Sequence, residues 1–179
     1  MTLGVSRSWL LRAIALLPVA AACGDVRTDD SASGRLRPVA IGSPAPSYAI
    51  ATFTGDSLVV GPSESLVLLN VWATWCASCK EEFAFMDTLL ARHGPHGLRV
   101  VAVSVDVGSR DPVQRVADQY GVTFEIAHDP DGIIERRFPA LGVPASYLIG
   151  ADGRLVWKHV GVLPPAVDSV IAANLPGGS

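Results

Sequence analysis

The sequence predicts an α/β domain in which helices cover both faces of a mixed sheet, with a β-hairpin ahead of it. Three observations carry this. Leu66–Trp72 is an apolar run of the kind expected of a strand buried on both faces, and Leu98–Val105 reads as a second buried strand. Each is followed by a segment with helical spacing of its apolar residues. The chain then closes on two strands turned through Asp152-Gly153 and a last helix.

Taken in order, Tyr48–Phe53 and Leu58–Val60, separated by Gly55-Asp56, read as the hairpin. After the strand Leu66–Trp72, a helix is expected from Cys76 to His93, with Phe83, Met86 and Leu90 on one face. Arg92 and His93 suit its last turn, and Gly94-Pro95 stops it. Beyond the second strand, Asp111-Pro112 has the form of an N-cap with proline at the first helical position, opening a helix to Tyr120. Phe124–Ala127 reads as a short strand and Ile133–Phe138 as a short helix. Ala145–Ile149 and Leu155–Val160 make the closing strand pair, and Pro164-Pro165 opens the last helix, which fades at Leu175-Pro176.

The chain has 179 residues, 49% hydrophobic and 17% charged, which suits one folded domain and excludes a disordered protein. A formal net charge of −3 builds no field for nucleic acid. The first residues differ from the rest. Arg7 and Arg12 flank or interrupt an apolar stretch from Trp9 to Ala22, and no acid precedes Asp25, the pattern of a secretory leader over residues 1–22. Ala20-Ala21-Ala22-Cys23 resembles a bacterial lipoprotein signal, which implies acylation of Cys23 and a membrane anchor; an ordinary signal cut near Ala22 is the alternative. A polar tether is expected over 23–40, the domain over 41–175 and a flexible tail over 176–179. Of the three cysteines, a lipid on Cys23 leaves one pair, Cys76 and Cys79, in an oxidising compartment.

That pair falls where a buried strand gives way to a helix, the end of an open α/β sheet at which sites form. Free N–H groups at the helix start favour a thiolate at Cys76. The i, i+3 spacing brings Cys79 to the same face, so that Cys76 would attack and Cys79 resolve the mixed disulfide. A zinc half-site would need two further ligands that no second cysteine pair or paired histidine supplies. A structural bridge across so small a loop constrains little of the unfolded chain.

Leu69-Asn70-Val71-Trp72-Ala73-Thr74-Trp75-Cys76-Ala77-Ser78-Cys79-Lys80-Glu81-Glu82-Phe83 resembles the active-site segment of the thioredoxin superfamily. It is most similar to the membrane-anchored bacterial thiol–disulfide oxidoreductases of the TlpA/ResA type. The similarity extends through Val101–Asp106, Gly142–Ile149 and Asp152-Gly153-Arg154, and spans about residues 40–175. It implies a thioredoxin fold, a cis peptide before Pro144 opposite the cysteines, and a backbone at Val143 that pairs with substrate. It also implies an active-site glutamate at Glu82, which would take up the resolving thiol's proton; a solvated helical glutamate is the other reading. Asn70 stands where thioredoxin has a buried aspartate, Ser78 where the family commonly has proline, and Ala84 where a second proline often bends the helix. Ala84 therefore predicts a straighter helix, and Ser78 a hydrogen bond towards a sulfur.

The resemblance implies reduction of disulfides in envelope proteins, apocytochrome c among them, on the periplasmic face, with a membrane thiol as electron donor. No cofactor is implied, and a monomer is expected. Trp75 is expected either to shield the disulfide and contact partners or to pack in the core. A different class of function is a copper chaperone using Cys76, Cys79 and His128; a third is a binding domain that merely kept the fold. Peroxide reduction is disfavoured because Ala73, not threonine, stands three residues before Cys76.

Overall fold

The computed structural model describes residues 39–177. The leader, Cys23 and nearly all of the tether expected from the sequence lie outside them, as do the last two residues of the tail. Among the described residues, no helix is long and apolar enough to cross a membrane.

The hairpin forms from β1 (Tyr48–Ala51) and β2 (Ser57–Val60), and the main sheet from β3 (Leu66–Trp72), β4 (Leu98–Ser104), β5 (Glu125–His128), β6 (Ala145–Ile149) and β7 (Leu155–Val160). Its order is β5-β4-β3-β6-β7. β3 runs parallel to β4 in a register that pairs Leu66 with Leu98 and Trp72 with Ser104, and antiparallel to β6 with Asn70 opposite Ser146. Being central, β3 is buried at all seven positions, which is why every residue but Asn70 is apolar and the pattern does not alternate.

Side chains still alternate between faces. Leu66, Leu68 and Trp72 join a core closed by Phe83, Met86 and Leu89 of the helix after β3, by Val113 and Ala117, and by Val167 and Ile171. Val67, Leu69 and Val71 join the opposite core, closed by Tyr48, Leu58 and Val60 of the hairpin together with Ile134 and Phe138. The hairpin is thus the second face's cover, tied to β5 through a bridge between Thr52 and Ala127.

The helix expected from Cys76 to His93 is two helices, α1 (Ala77–Glu81) and α2 (Phe83–His93). The expectation of a straight helix without proline at residue 84 is corrected: the break lies at Glu82. Its ψ of −9° tightens the turn, and its carboxylate is drawn into the core by partners on β3 and on the loop after β7. A single 3₁₀ turn, Gly94–His96, follows α2. α3 (Asp111–Tyr120) has Asp111 and Pro112 in its first turn, with Arg110 as the cap, one residue earlier than expected. Gly121 ends it at a φ of 61°. α4 (Ile133–Arg137) and α5 (Val167–Asn174) complete the fold. Gly153, between β6 and β7, has a φ of +77°, and a Cβ there would lie 2.6 Å from the Pro62 nitrogen, so this turn admits only glycine.

Candidate active site

Because β3, β4 and β7 run the same way and β6 runs against them, one end of the sheet collects the segments after β3, β4 and β7 and before β6. Cys76 and Cys79 sit there as a disulfide with an S–S distance of 2.03 Å. Cys76 caps α1, its Sγ accepting the Cys79 amide at 3.2 Å, and the Ser78 hydroxyl lies 3.6 Å from the same sulfur. On reduction that N–H is already in place to favour a thiolate at Cys76. Cys76 reaches solvent with 6% of its surface and Cys79 with none, so an incoming group meets Cys76 first.

The Val143–Pro144 peptide is cis. The Pro144 carbonyl accepts the Gly161 amide at 2.8 Å, which joins this segment to the end of β7. Trp75 is 71% exposed, so of its two expected settings it occupies the surface and not the core. Val107, Leu141 and Val162, on the other three segments at this end, are exposed as well. A cavity of about 580 Å³ opens between Pro139–Leu141 and β7, but neither sulfur lines it.

Glu82 is 2% exposed, which excludes a solvated helical surface as its setting. Oε1 accepts Asn70 Nδ2 at 2.7 Å, and Oε2 accepts the Leu163 amide at 2.8 Å. Burial raises its pKa above the usual 4.5, against the opposing pull of the hydrogen bonds from Leu163 and Asn70. Asn70 gives its second N–H to the Ser146 hydroxyl at 2.9 Å.

Sequence reasoning missed Thr74, Lys80 and Asp106, which meet beside the cysteines. The signal available was Asp106 itself, an acid placed directly after the second predicted strand. His128 lies at the end of β5 with Nε2 donating to the Asp106 carbonyl at 2.7 Å, and no group of three or more metal-binding side chains gathers among the described residues. The copper site expected from Cys76, Cys79 and His128 is thus not assembled.

A model of the AhpC/TSA family matches residues 41–158. The chain belongs to this family. Its fold is thioredoxin-like: a Chlorobium tepidum crystal structure described as thiol:disulfide interchange protein DsbE superposes with a TM-score of 0.67 at 31% identity, covering 76% of this chain and 95% of that one. The thioredoxin-like protein YneN of Bacillus subtilis is 33% identical over 125 residues, 68% of this chain and 72% of that protein. The thiol-disulfide oxidoreductase ResA of Oceanobacillus iheyensis is 37% identical over 89 residues; the match spans half of this chain and 46% of that protein. A member of the family whose paired cysteines close a disulfide at the carboxyl end of β3 is a thiol–disulfide oxidoreductase.

Proposed function

We propose that this oxidoreductase reduces disulfides in other exported proteins. Cys76 attacks, forming a mixed disulfide and releasing one substrate thiol. Cys79 then attacks Cys76 Sγ, releasing the second thiol and closing the disulfide described above. Glu82 takes the Cys79 proton, which its raised pKa suits it to hold. The Val143 backbone and Trp75 bind the substrate segment, and a membrane thiol donor regenerates the dithiol. The observation that carries a protein substrate is the surface around Cys76: Trp75, Val107, Leu141 and Val162 present exposed apolar side chains at that end of the sheet.

The leader pattern and Cys23 support export and anchoring by lipid at the outer face of a bacterial membrane, where such substrates fold. Reduction of apocytochrome c is the specific task that the ResA-type resemblance supports. The test is the reduction potential of the Cys76–Cys79 pair, equilibrated against glutathione. A value near about −270 mV supports a reductant, and one near about −120 mV turns the reading to disulfide formation.

A further inference from the structure

Thr74 lies between the buried end of β3 and the exposed turn that carries Trp75 and Cys76. Every polar atom it has is engaged. Its amide donates to Asp106 Oδ2 at 2.8 Å, its hydroxyl to Asp106 Oδ1 at 2.6 Å, and its carbonyl accepts Lys80 Nζ at 2.9 Å. The next bond along holds the nucleophile's own backbone, the Cys76 amide donating to the Ala73 carbonyl at 3.1 Å.

Asp106, 9% exposed, is braced in turn. Oδ2 also accepts the Ser104 hydroxyl at 2.6 Å, the Asp106 amide donates back to Ser104 Oγ at 3.1 Å, and His128 Nε2 donates to its carbonyl. Burial pushes its carboxyl up, but the hydrogen bonds from Ser104 and Thr74, with His128 nearby, outweigh this and leave it below the usual 3.8. The carboxylate is not needed to join the strand ends. Backbone bonds from Val105 to Trp72 and from Asp129 to Ser104 already extend both ladders past them. What the carboxylate adds, beyond its local bond to Ser104, reaches Thr74.

We propose that Asp106 is a positioning residue for the nucleophile: through Thr74 its carboxylate fixes the turn that presents Cys76 at the start of α1. Lys80, on α1, grips Thr74 from the other side, so the turn and the helix start are held as one unit. Cys76 Sγ then stays under the Cys79 amide when the disulfide opens. His128 is the outer brace of this arrangement. The proposal rests on Cys76–Cys79 being the redox centre.

The test is alkylation of Cys76 in the reduced full-length protein as a function of pH, followed on its own peptide, with thermal melting and disulfide reduction measured alongside. In Asp106→Ala and Thr74→Val, alkylation at neutral pH slows about fivefold, the worth of one lost hydrogen bond, and the profile moves to higher pH. Thr74→Ser keeps both donors and restores the wild-type profile. Asp106→Asn stays near wild type, because its oxygen accepts the Thr74 amide while its NH₂ meets the rotated Thr74 hydroxyl. An unchanged profile with only a lower melting temperature overturns the proposal, and so does a shift to lower pH in both Asp106 variants, which marks a charge acting at a distance. Should Asp106→Ala fail to fold, Thr74→Val and Thr74→Ser decide. Wild-type protein that reduces no disulfide while these profiles respond as stated defeats the proposed function and leaves the positioning role standing.

Discussion

Asn70 Nδ2 lies 2.7 Å from Glu82 Oε1, a contact that fastens the central strand to the break between α1 and α2. Both residues are buried, so the amide supplies in the core part of what water would supply outside, and the Leu163 amide supplies more. Asn70 spends both N–H groups, on Glu82 and Ser146, while its Oδ1 has no partner. An unpaired buried acceptor costs about 1–3 kcal/mol. A protonated Glu82 side chain has one more donor than the ionised form, and Asn70 Oδ1 is an acceptor on the residue beside it.

Asn70→Asp puts a second carboxyl against Glu82, as close as a hydrogen bond. Two carboxylates at that range cannot both ionise without a large penalty, so the pair retains a proton well above the ordinary carboxylate range. The variant's stability should fall more steeply with rising pH than that of the wild type. Urea midpoints measured from acid to neutral pH check this; parallel curves for the two proteins would refute it.

Glu82→Gln should flatten the wild type's own pH dependence. Glu82 titrates above 4.5 in the fold and near 4.5 in the unfolded chain, so between those values the native state binds more protons. Stability contributed by the group is then full below about pH 4.5 and is lost as pH rises through the folded value. Gln carries no such proton, although its NH₂ must face either the Asn70 or the Leu163 donor and lowers stability at every pH. The same variant should slow the second, resolving step of exchange more than the first, visible in stopped-flow mixing with a protein disulfide.

Cys79→Ser should accumulate mixed disulfides, since Cys76 can attack and nothing resolves the product. Cys76→Ser should form none. Non-reducing gels and mass spectrometry of the trapped partners distinguish the two, and trapping by Cys76→Ser in place of Cys79→Ser would reverse the assigned roles.

Trp75→Ala should leave stability within about 0.5 kcal/mol, because the side chain is 71% exposed. Turnover of a small aromatic disulfide should persist, while KM for a protein disulfide rises. Equal loss on both substrates would place Trp75 in the exchange chemistry instead.

Phe83→Ala should destabilise the domain by about 3–5 kcal/mol. The ring is buried in edge-to-face contact with Trp72 at 5.0 Å, Phe124 at 5.5 Å and Tyr120 at 5.7 Å between centroids. Denaturant unfolding measures it, and loss of a few tenths would mean that the core refills the space.

Much of this was legible locally. β6 and β7 occupy the residues expected of a strand pair joined through the Asp152-Gly153 turn, and α3 ends where Gly121 stops it. The cysteine pair fell at a strand–helix junction because the end of the apolar run and the start of helical spacing are both local signals. The break at Glu82 was not legible, since its causes are Asn70 and Leu163, one on another strand and the other 81 residues away. Asp106 was missed for a like reason: the two donors that turn a strand-end acid into a clamp come from Thr74, 32 residues earlier. His128 read as a spare ligand because sequence cannot show that its nitrogen already has an acceptor.

The Leu163 amide that closes on Glu82 also sets an order of events during synthesis. Both cysteines are made before the last partner of the Glu82 carboxyl, which follows more than 80 residues later. Until then the Glu82 carboxyl of a nascent chain lacks the donor that holds its Oε2 in the fold. A product truncated ahead of Leu163 would carry both cysteines without that hydrogen bond to Glu82.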